Sequence, residues 1–448
     1  MAWKVGLVRQ LNEGLSLLKR HRPYRESDHI LNIVFNILCG GRVLDDLEHR
    51  RNDVAFLDAL GARTIPDPTT AGDFCRRFDT AAVGQLMDIV NQVRLGVWRQ
   101  QSADFFEQPA CIDADGSIVA TDGECKQGMG LSYDGQWGYH PLLISLANTG
   151  EPLFVLNRSG GRPSSEGAAP LLDKAIALCR AAGWKKILLR GDTDFSQTAH
   201  LDRWHDDGVH FVFGYDASAP MVRRAEGLDA DEYRKLTRKA DAVFAKRQKR
   251  ANQPRVKEQI VQERGYLNLR LEREDLAEFE HMPKAARRSY RMVVLRKTIV
   301  EERGQLCLGQ SYRYFFYITN LRDVAQRQVV RESNQRCNQE NLIEQHKNGV
   351  RALRAPLNTF NANWAHMVIA SLAWSLKAWF ALLLPVGGRW AARYKEDRER
   401  VLRMDFRSFV QRFITVPAQI LRTGRTLVFR LLAWRPDLPI LFRALDSG

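Results

Sequence analysis

Cysteine is scarce in this sequence, and no cysteines cluster as they do in zinc sites or disulfide-rich folds. The 448 residues contain seven cysteines, which are scattered and never form a C-x-x-C pair. A structural zinc site or a disulfide-stapled fold needs closely spaced cysteines, so neither is predicted. An odd number of isolated thiols is typical of a reducing compartment.

Other signatures are also missing. The sequence has no G-x-x-x-x-G-K phosphate loop and no G-x-S-x-G elbow, so neither ATP chemistry nor a serine nucleophile is implied. The first twenty residues are charged and amphipathic, unlike a signal peptide. One apolar run, Ala365 to Leu384, resembles a membrane span, but His366 and Lys377 interrupt it. We therefore predict a buried core helix there and no membrane association.

Positive charge is abundant. The formal net charge is +15, the pI is about 9.6, and 45% of the residues are hydrophobic. Such a chain can bury a sizeable core, and its charge favours a polyanionic partner, either nucleic acid or an anionic membrane surface. A basic surface that is merely solvated is the alternative.

The first hundred residues have a helical pattern. Within 65–79, "IPDPTTAGDFCRRFD", Thr69 or Thr70 can cap a short helix that exposes Arg76 and Arg77. This pattern fits a helix-turn-helix that reads DNA, or an ordinary helical bundle.

The pattern changes to strands after residue 108. The predicted order β-β-β-α-β-α-β indicates an α/β, mixed α+β fold with a mixed sheet flanked by helices. Residues 217–311 have the composition of a basic, β-rich insertion. Its loop "KRQKRANQPRVK" includes four candidate DNA contacts: Lys246, Arg247, Lys249 and Arg250. A long helix is predicted from about Val324 to Leu353, followed by an apolar helical tail.

Acidic residues follow two of the predicted strands. Asp113 and Asp115 lie at the end of the first strand, and Asp192 and Asp194 come just after the buried strand "ILLRG". Side chains at neighbouring strand ends can converge above the sheet, and carboxylates that do so tolerate one another when a divalent cation lies between them. A lone aspartate after a strand is more often a turn residue or a helix cap, and Asp194 fits that reading.

A further acid lies on the predicted long helix. Arg336, Glu340, Glu344 and Lys347 share one helical face. By itself this pattern is typical of a solvated charged stripe. Two aspartates and a glutamate without clustered His or Cys suit Mg²⁺, and two such ions can promote phosphodiester cleavage or joining.

These motifs together resemble the DDE transposases of bacterial insertion sequences, within the RNase H-like superfamily. "IDADGS" is similar to the first family block and indicates Asp115, and "RGDTDF" is similar to the second and indicates Asp192. The third block is the Y-(2)-R-(3)-E-(6)-K signature, which Arg336, Glu340 and Lys347 fit, with Ser333 in place of the tyrosine. The group called insertion sequence thirteen-eighty is the most similar.

The resemblance implies a set of roles. Asp115, Asp192 and Glu340 would be both catalytic residues and ligands of two Mg²⁺ ions per active site, for which Mn²⁺ could substitute. Asp113, Asp194 and Glu344 are the alternates. Arg336 and Lys347 would contact phosphates. The implied partners are the terminal inverted repeats and target site in double-stranded DNA, bound by a homodimer, in the bacterial cytoplasm at the nucleoid.

The resemblance also implies a domain order. We expect a helical DNA-binding domain over 1–105, the first part of an RNase H-like core over 106–216, the insertion over 217–311, the end of the core over 312–385, and a basic helical tail over 386–448. Two other functions fit the sequence, namely a domesticated DNA-binding protein without catalysis and a metal-dependent nuclease without strand transfer.

Overall fold

A computed structural model describes residues 1–238, 264, 267–303, 306–424 and 426–446. The chain divides into two compact units. The first unit comprises Met1–Ile187 and Cys337–Gly448, and the second comprises Leu188–Arg336. The domain boundaries expected from the sequence stay predictions.

The helices and strands are numbered in chain order. The helices are α1 (Leu7–Gly14), α2 (Glu26–Leu38), α3 (Leu47–Arg51), α4 (Val54–Leu60), α5 (Pro68–Cys75), α6 (Thr80–Trp98), α7 (Ala168–Ala182), α8 (Leu201–Asp206), α9 (Ala219–Glu226), α10 (Gln326–Gln335), α11 (Cys337–Glu344), α12 (Phe360–Leu382), α13 (Ala391–Arg403), α14 (Phe406–Phe409) and α15 (Leu438–Asp446). The strands are β1 (Ala110–Gly116), β2 (Val119–Ala120), β3 (Gly130–Leu131), β4 (Trp137–Tyr139), β5 (Leu142–Leu146), β6 (Glu151–Leu156), β7 (Ile187–Gly191), β8 (His210–Tyr215), β9 (Arg234–Lys235), β10 (Leu267–His281), β11 (Tyr290–Arg303), β12 (Leu306–Thr319), β13 (Ala418–Thr423) and β14 (Thr426–Leu431).

The N-terminal segment of the first unit is helical, as the sequence predicts. The expected cap of α5 is wrong, because Asp67 and not a threonine precedes the helix, and its Oδ1 accepts the N–H of Thr70 at 2.8 Å. Pro68 occupies the first helical position, where its missing N–H has no intrahelical partner to lose. Pro68 therefore begins the helix.

The first unit also contains an antiparallel sheet in the order β6-β5-β1. Asp113 pairs with Ser145 and Asp115 pairs with Leu143 across β1 and β5. Helix α7 packs on these strands, and Gly183 caps its C-terminal end. Its φ of 127° lies in the region that favours glycine.

Helix α12 forms the core of the first unit. It is the one described helix that is long and apolar enough to cross a membrane, and 94% of its most apolar window is buried inside the protein. The indole Nε1 groups of Trp364 and Trp374 donate to the carbonyls of Val155 and Gly150 at 2.6 and 2.7 Å. The helix is therefore the predicted buried core helix, tied to both ends of β6.

The second unit contains a mixed sheet in the order β7-β8-β12-β11-β10-β9. Strands β7 and β8 are parallel. Every other neighbouring pair in this order, from β8–β12 to β10–β9, is antiparallel. Helix α10 packs on β8, β10, β11 and β12. The mixed α+β class with a helix-flanked mixed sheet is thus confirmed, although the sequence did not predict β10.

Two segments differ from expectation. The single helix predicted from Val324 to Leu353 is divided into α10 and α11, followed by a π-helical turn over Gln345–Gly349. The tail over 386–448 contains helices but also a hairpin of β13 and β14, which the sequence did not predict. No disulfide joins the cysteines in the described part of the chain.

Candidate active site

Asp115 lies at the carboxyl end of β1, where the sequence places it. Its Oδ1 accepts the N–H of Gly116 at 2.8 Å, and the side chain is partly buried. Asp113, two residues earlier, is only 1% exposed. Because alternate residues of a strand point the same way, both carboxylates lie on one face of the sheet, with Asp115 nearer to solvent.

Helix α11 packs on that same face. The hydroxyl of Ser145 donates to Oε1 of Gln339, and Nε2 of Gln339 donates to the carbonyl of Leu143 at 3.3 Å. Residues directly opposite in an antiparallel pair share a face, so Gln339 binds β5 beside both aspartates. Glu340 follows Gln339 and is exposed. Within the first unit, the fold therefore places the Glu340 helix against the strand of Asp115.

Asp192 belongs to the second unit, where it follows β7. It begins a short 3₁₀ turn, and its Oδ1 accepts the N–H of Asp194 at 3.0 Å. Burial raises the pKa of the Asp192 carboxyl, the Arg336 guanidinium opposes that rise, and the Asp194 charge adds to it. Asp192 therefore caps the turn, which is the role that the sequence suggested for Asp194. Because Asp192 is partly buried, its negative charge is unfavourable unless a cation lies nearby.

Arg336 supplies a positive charge beside Asp192. Its Nη1 lies 4.0 Å from Asp192 Oδ2, inside the second unit. Arg190 is 2% exposed, and its Nη1 lies 3.6 Å from Oε2 of Glu332 and donates to the Glu332 carbonyl at 3.4 Å. The buried arginine of β7 thus holds α10, and with it Arg336, against the end of its own strand.

Glu344 and Lys347 are the remaining residues of the predicted charged helical face. Glu344 ends α11 and accepts the Nδ2–H of Asn348 at 2.6 Å, and Lys347 lies partly buried in the π-helical turn. Arg336 closes α10 with an N–H that donates to the Ser333 carbonyl at 3.1 Å. The residues of the predicted face therefore do not share one helix: Arg336 lies between α10 and α11, and Lys347 lies in the turn after α11, which carries both glutamates.

The predicted DNA contacts of the N-terminal region differ in their surroundings. Arg76 lies 2.7 Å from the Asp73 carboxylate, and its Nε donates to Oδ1 of Asn358 at 3.1 Å. Arg77 is exposed and lines a cleft. Their contact with DNA stays a prediction. The other four candidates, Lys246, Arg247, Lys249 and Arg250, lie outside the described residues.

The sequence did not reveal the role of Arg158, which fixes the chain near the end of β1. Arg158 is 5% exposed and donates to four carbonyls, those of His140, Pro163, Ser164 and Glu166, at 2.7 to 2.9 Å. Burial lowers the pKa of Arg158 to about 10. A Cβ at Gly116 would lie 2.7 Å from His140 Nε2, so a larger residue after Asp115 would have to displace the buried His140 ring. The glycine in "IDADGS" was the available signal.

The donor atoms fit a divalent cation by their chemistry. Asp115, Asp192 and Glu340 offer carboxylate oxygens, which are ligands that Mg²⁺ and Mn²⁺ prefer. Asp192 is partly buried, and a bound cation would stabilise its negative charge. Within the described residues, no group of three or more His, Cys, Asp or Glu side chains is gathered closely enough to hold a metal ion.

Comparison with known proteins identifies the family. The chain matches the model of the transposase DDE domain, group 1, over residues 1–447. A search of curated proteins gave no match. A solved structure that is similar is the cryo-EM structure of the piggyBac transposase synaptic complex with hairpin DNA, at 11% identity and a TM-score of 0.40 over 92% of this chain and 78% of that one.

Proposed function

The chain belongs to the DDE transposase family, and we propose that it cleaves the ends of a mobile element and joins the freed 3′-OH groups to target DNA through Asp115, Asp192 and Glu340. As a member of this family the protein is a DNA transposase that uses divalent metal. The observation that favours this choice of acids is the attachment of Gln339 to β5, because it puts the Glu340 helix on the face of β1 that carries Asp115.

We assign the metal to the same three acids. Two bound Mg²⁺ ions, or Mn²⁺ in their place, would stabilise the attacking and leaving oxygens of an in-line displacement. The carboxylates provide the negative charge that holds such ions. Arg336, which lies 4.0 Å away, favours the ionised form of Asp192 and opposes the effect of burial. Asp113, Asp194 and Glu344 are the alternates at each position.

The positive residues align the substrate. Arg336 and Lys347 would bind phosphates near the scissile bond, and alignment of a phosphodiester is a large part of catalysis in such reactions. The net charge of +15 favours the DNA backbone as a whole. We further propose that a homodimer brings the two element ends together, and that the protein acts at the nucleoid in the bacterial cytoplasm.

The test is a combined cleavage and strand-transfer assay on the terminal repeats of the element, with Mg²⁺. Asp192→Asn and Glu340→Gln keep the shape of the side chains and remove the charge. Asp194→Asn and Glu344→Gln are matched controls, because each removes an equal charge from an exposed neighbour on the same turn or helix.

We expect the first two variants to lose cleavage and joining while they still bind DNA, and the controls to keep both. Loss of activity in a control with activity kept in its partner would show that the alternate acid is the catalytic one. Cleavage without joined product in the wild type would indicate a nuclease. DNA binding with neither reaction would indicate the domesticated binder.

A further inference from the structure

A small three-stranded sheet follows the strand of Asp115 in the first unit. It comprises β2, β4 and β3, in that order, and we call its residues, 119–139, the acidic sheet. They include three acids, Asp122, Glu124 and Asp134, and one lysine. All three acids are exposed, and none forms an ion pair with a residue that the structure describes. On a chain with a net charge of +15, this surface carries a local excess of negative charge.

The acidic sheet also exposes large apolar side chains. Leu131 and Trp137 are 51% and 58% exposed, and they share one face because they pair directly across β3 and β4. Tyr133, in the turn between these strands, is 90% exposed. Aromatic residues gathered on an exposed surface are typical of sites that bind another macromolecule.

The turn between β3 and β4 is held in one conformation. The N–H of Ser132 donates to the Gln136 carbonyl at 2.8 Å, and the N–H of Gln136 donates to Oγ of Ser132 at 2.9 Å. The Asp134 carboxylate accepts the Ser132 hydroxyl and, at 2.9 Å, the Nε2–H of Gln136. Because both donors are neutral, the negative charge of Asp134 is not compensated, and little entropy would be lost when a cation binds it.

A second exposed sheet in the same unit has the opposite charge. This is the hairpin of β13 and β14, which we call the basic hairpin. It lies within residues 406–436, which contain six arginines and neither aspartate nor glutamate. Two strands alone are marginally stable in water and need a packed face. The basic hairpin is therefore expected to gain stability from a partner.

One face of the basic hairpin is open. Val428 and Arg430 point to the same side of β14, and Leu432 continues that series. Val428 and Leu432 are 41% and 64% exposed, and Arg430 is exposed without an ion pair to any described residue. The other face carries Arg422, which contacts the Asp58 carboxylate of α4. The open face thus combines one positive charge with two exposed apolar side chains.

Charge complementarity indicates what covers these two surfaces. A DNA backbone would be repelled by the acids of the acidic sheet, and the apolar side chains beside Arg430 offer no hydrogen bond to a phosphate. A second copy of this chain presents a basic, apolar surface to the acidic sheet and an acidic, aromatic surface to the basic hairpin. Two-fold symmetry would form this contact twice.

We propose that two copies of the chain associate in solution, with the open face of each basic hairpin on the acidic sheet of the other copy. Asp134 then lies beside Arg430 of the second copy, and Trp137 packs on its Val428 and Leu432. This inference rests on the proposed function, which requires two copies, and it names the surfaces that join them. Each strand of Asp115 is then followed by a segment that contacts the tail of the other copy.

The first test is sedimentation equilibrium of the full chain without DNA. Trp137→Ser should raise the dissociation constant of the dimer by about thirtyfold or more, as expected for an aromatic residue at the centre of an interface. The matched control is Trp3→Ser, which removes a tryptophan that is 79% exposed in the same unit and should leave the constant unchanged. Circular dichroism checks that each variant is folded.

A charge swap tests the pairing itself. Asp134→Arg and Arg430→Asp should each weaken the dimer by about tenfold or more, because like charges then face one another. A mixture of the two variants should associate more tightly than either alone. The double variant Asp134→Arg/Arg430→Asp should recover most of the wild-type affinity, because opposite charges face one another again. A loss of folding would not produce this recovery.

Three results would overturn the inference. The first is a wild type that is monomeric at the concentrations at which it cleaves DNA. The second is a dimer whose affinity is unchanged in Trp137→Ser and in both charge variants. The third is unchanged association with weaker duplex binding by Arg430→Asp, which would assign the basic hairpin to DNA. A dimer that behaves as expected in the charge swap but neither cleaves nor joins DNA would support the interface and refute the proposed function.

Discussion

The Nη1 atom of Arg336 lies 4.0 Å from Oδ2 of Asp192. Arg336 is the single residue between α10 and α11. The acid is partly buried, and burial raises the pKa of its carboxyl, whereas the arginine lowers it. One guanidinium group therefore favours the charged form of a candidate metal ligand and is itself a candidate phosphate contact.

Replacement of Arg336 by alanine should slow cleavage by about tenfold to hundredfold, because both of these interactions are lost. Arg336→Lys should restore part of the rate. The control is Arg327→Ala, which removes the same charge from an exposed position on α10. Single-turnover cleavage at saturating DNA is the measurement, and equal rates for Arg336→Ala and the control would contradict the assignment.

Gln339 should matter for activity although it does not carry charge. Gln339→Ala leaves the buried hydroxyl of Ser145 and the carbonyl of Leu143 without their partner, at a cost of about 1–3 kcal/mol in the free energy of unfolding. The Glu340 helix then loses its attachment to β5, so cleavage should slow at temperatures where the variant is fully folded.

The measurements for Gln339 are thermal unfolding and cleavage rate. Asn338→Ala and Asn341→Ala change exposed neighbours on the same helix and should leave both unchanged. A destabilised Gln339→Ala protein with a normal cleavage rate would mean that the amide supports only the fold.

Glu151 should be among the most sensitive positions of the core. It is fully buried, lies 3.0 Å from Arg94 Nε, and accepts the indole N–H groups of Trp98 and Trp379 at 2.8 Å each. Glu151→Leu strands a buried guanidinium and should destabilise the protein by about 3–5 kcal/mol. The double variant Arg94→Met/Glu151→Leu should lose less, because no charge remains buried.

The matched comparison is an exposed ion pair, Lys395 with Asp104, whose charged atoms are 3.1 Å apart. Asp104→Ala should leave the free energy of unfolding close to that of the wild type, because an exposed ion pair is screened by solvent. Urea unfolding followed by circular dichroism measures all three variants. A Glu151→Leu protein as stable as Asp104→Ala would refute the importance of the buried pair.

Acid should destabilise the protein through two buried histidines. Burial lowers the pKa of His346 to about 4 and that of His366 to about 4, from an ordinary value of 6.5. Between these values the unfolded chain binds more protons than the folded one, so stability is present above pH 6.5 and is lost as pH falls toward 4. Each histidine contributes a slope of up to about 1.4 kcal/mol per pH unit.

The measurement is the urea midpoint as a function of pH. The double variant His346→Gln/His366→Gln should show a shallower decline below pH 6.5 than the wild type. His49→Gln, at an exposed position, is the control. Identical pH profiles for the wild type and the double variant would show that other groups cause the acid sensitivity.

Much of the fold could be predicted because its signals are local. The apolar run of α12 indicates burial by composition, and Gly183 marks the end of α7 because few other residues adopt its φ of 127°. Strand β10 and the β13–β14 hairpin were not predicted. Their residues are polar or mixed in pattern, and pairing with a neighbouring strand, which is not a local property, stabilises them.

By itself, the sequence determined the order and types of the chemical groups: an aspartate at the end of one strand, another after a buried strand, and a glutamate on a helix far downstream. Side-chain type and local periodicity are enough for that. The tertiary structure alone decided that Gln339 attaches the Glu340 helix beside Asp115, and that Arg190 fixes α10 near Asp192. These relationships join residues far apart in the chain, and long-range packing, which no local pattern encodes, brings them together.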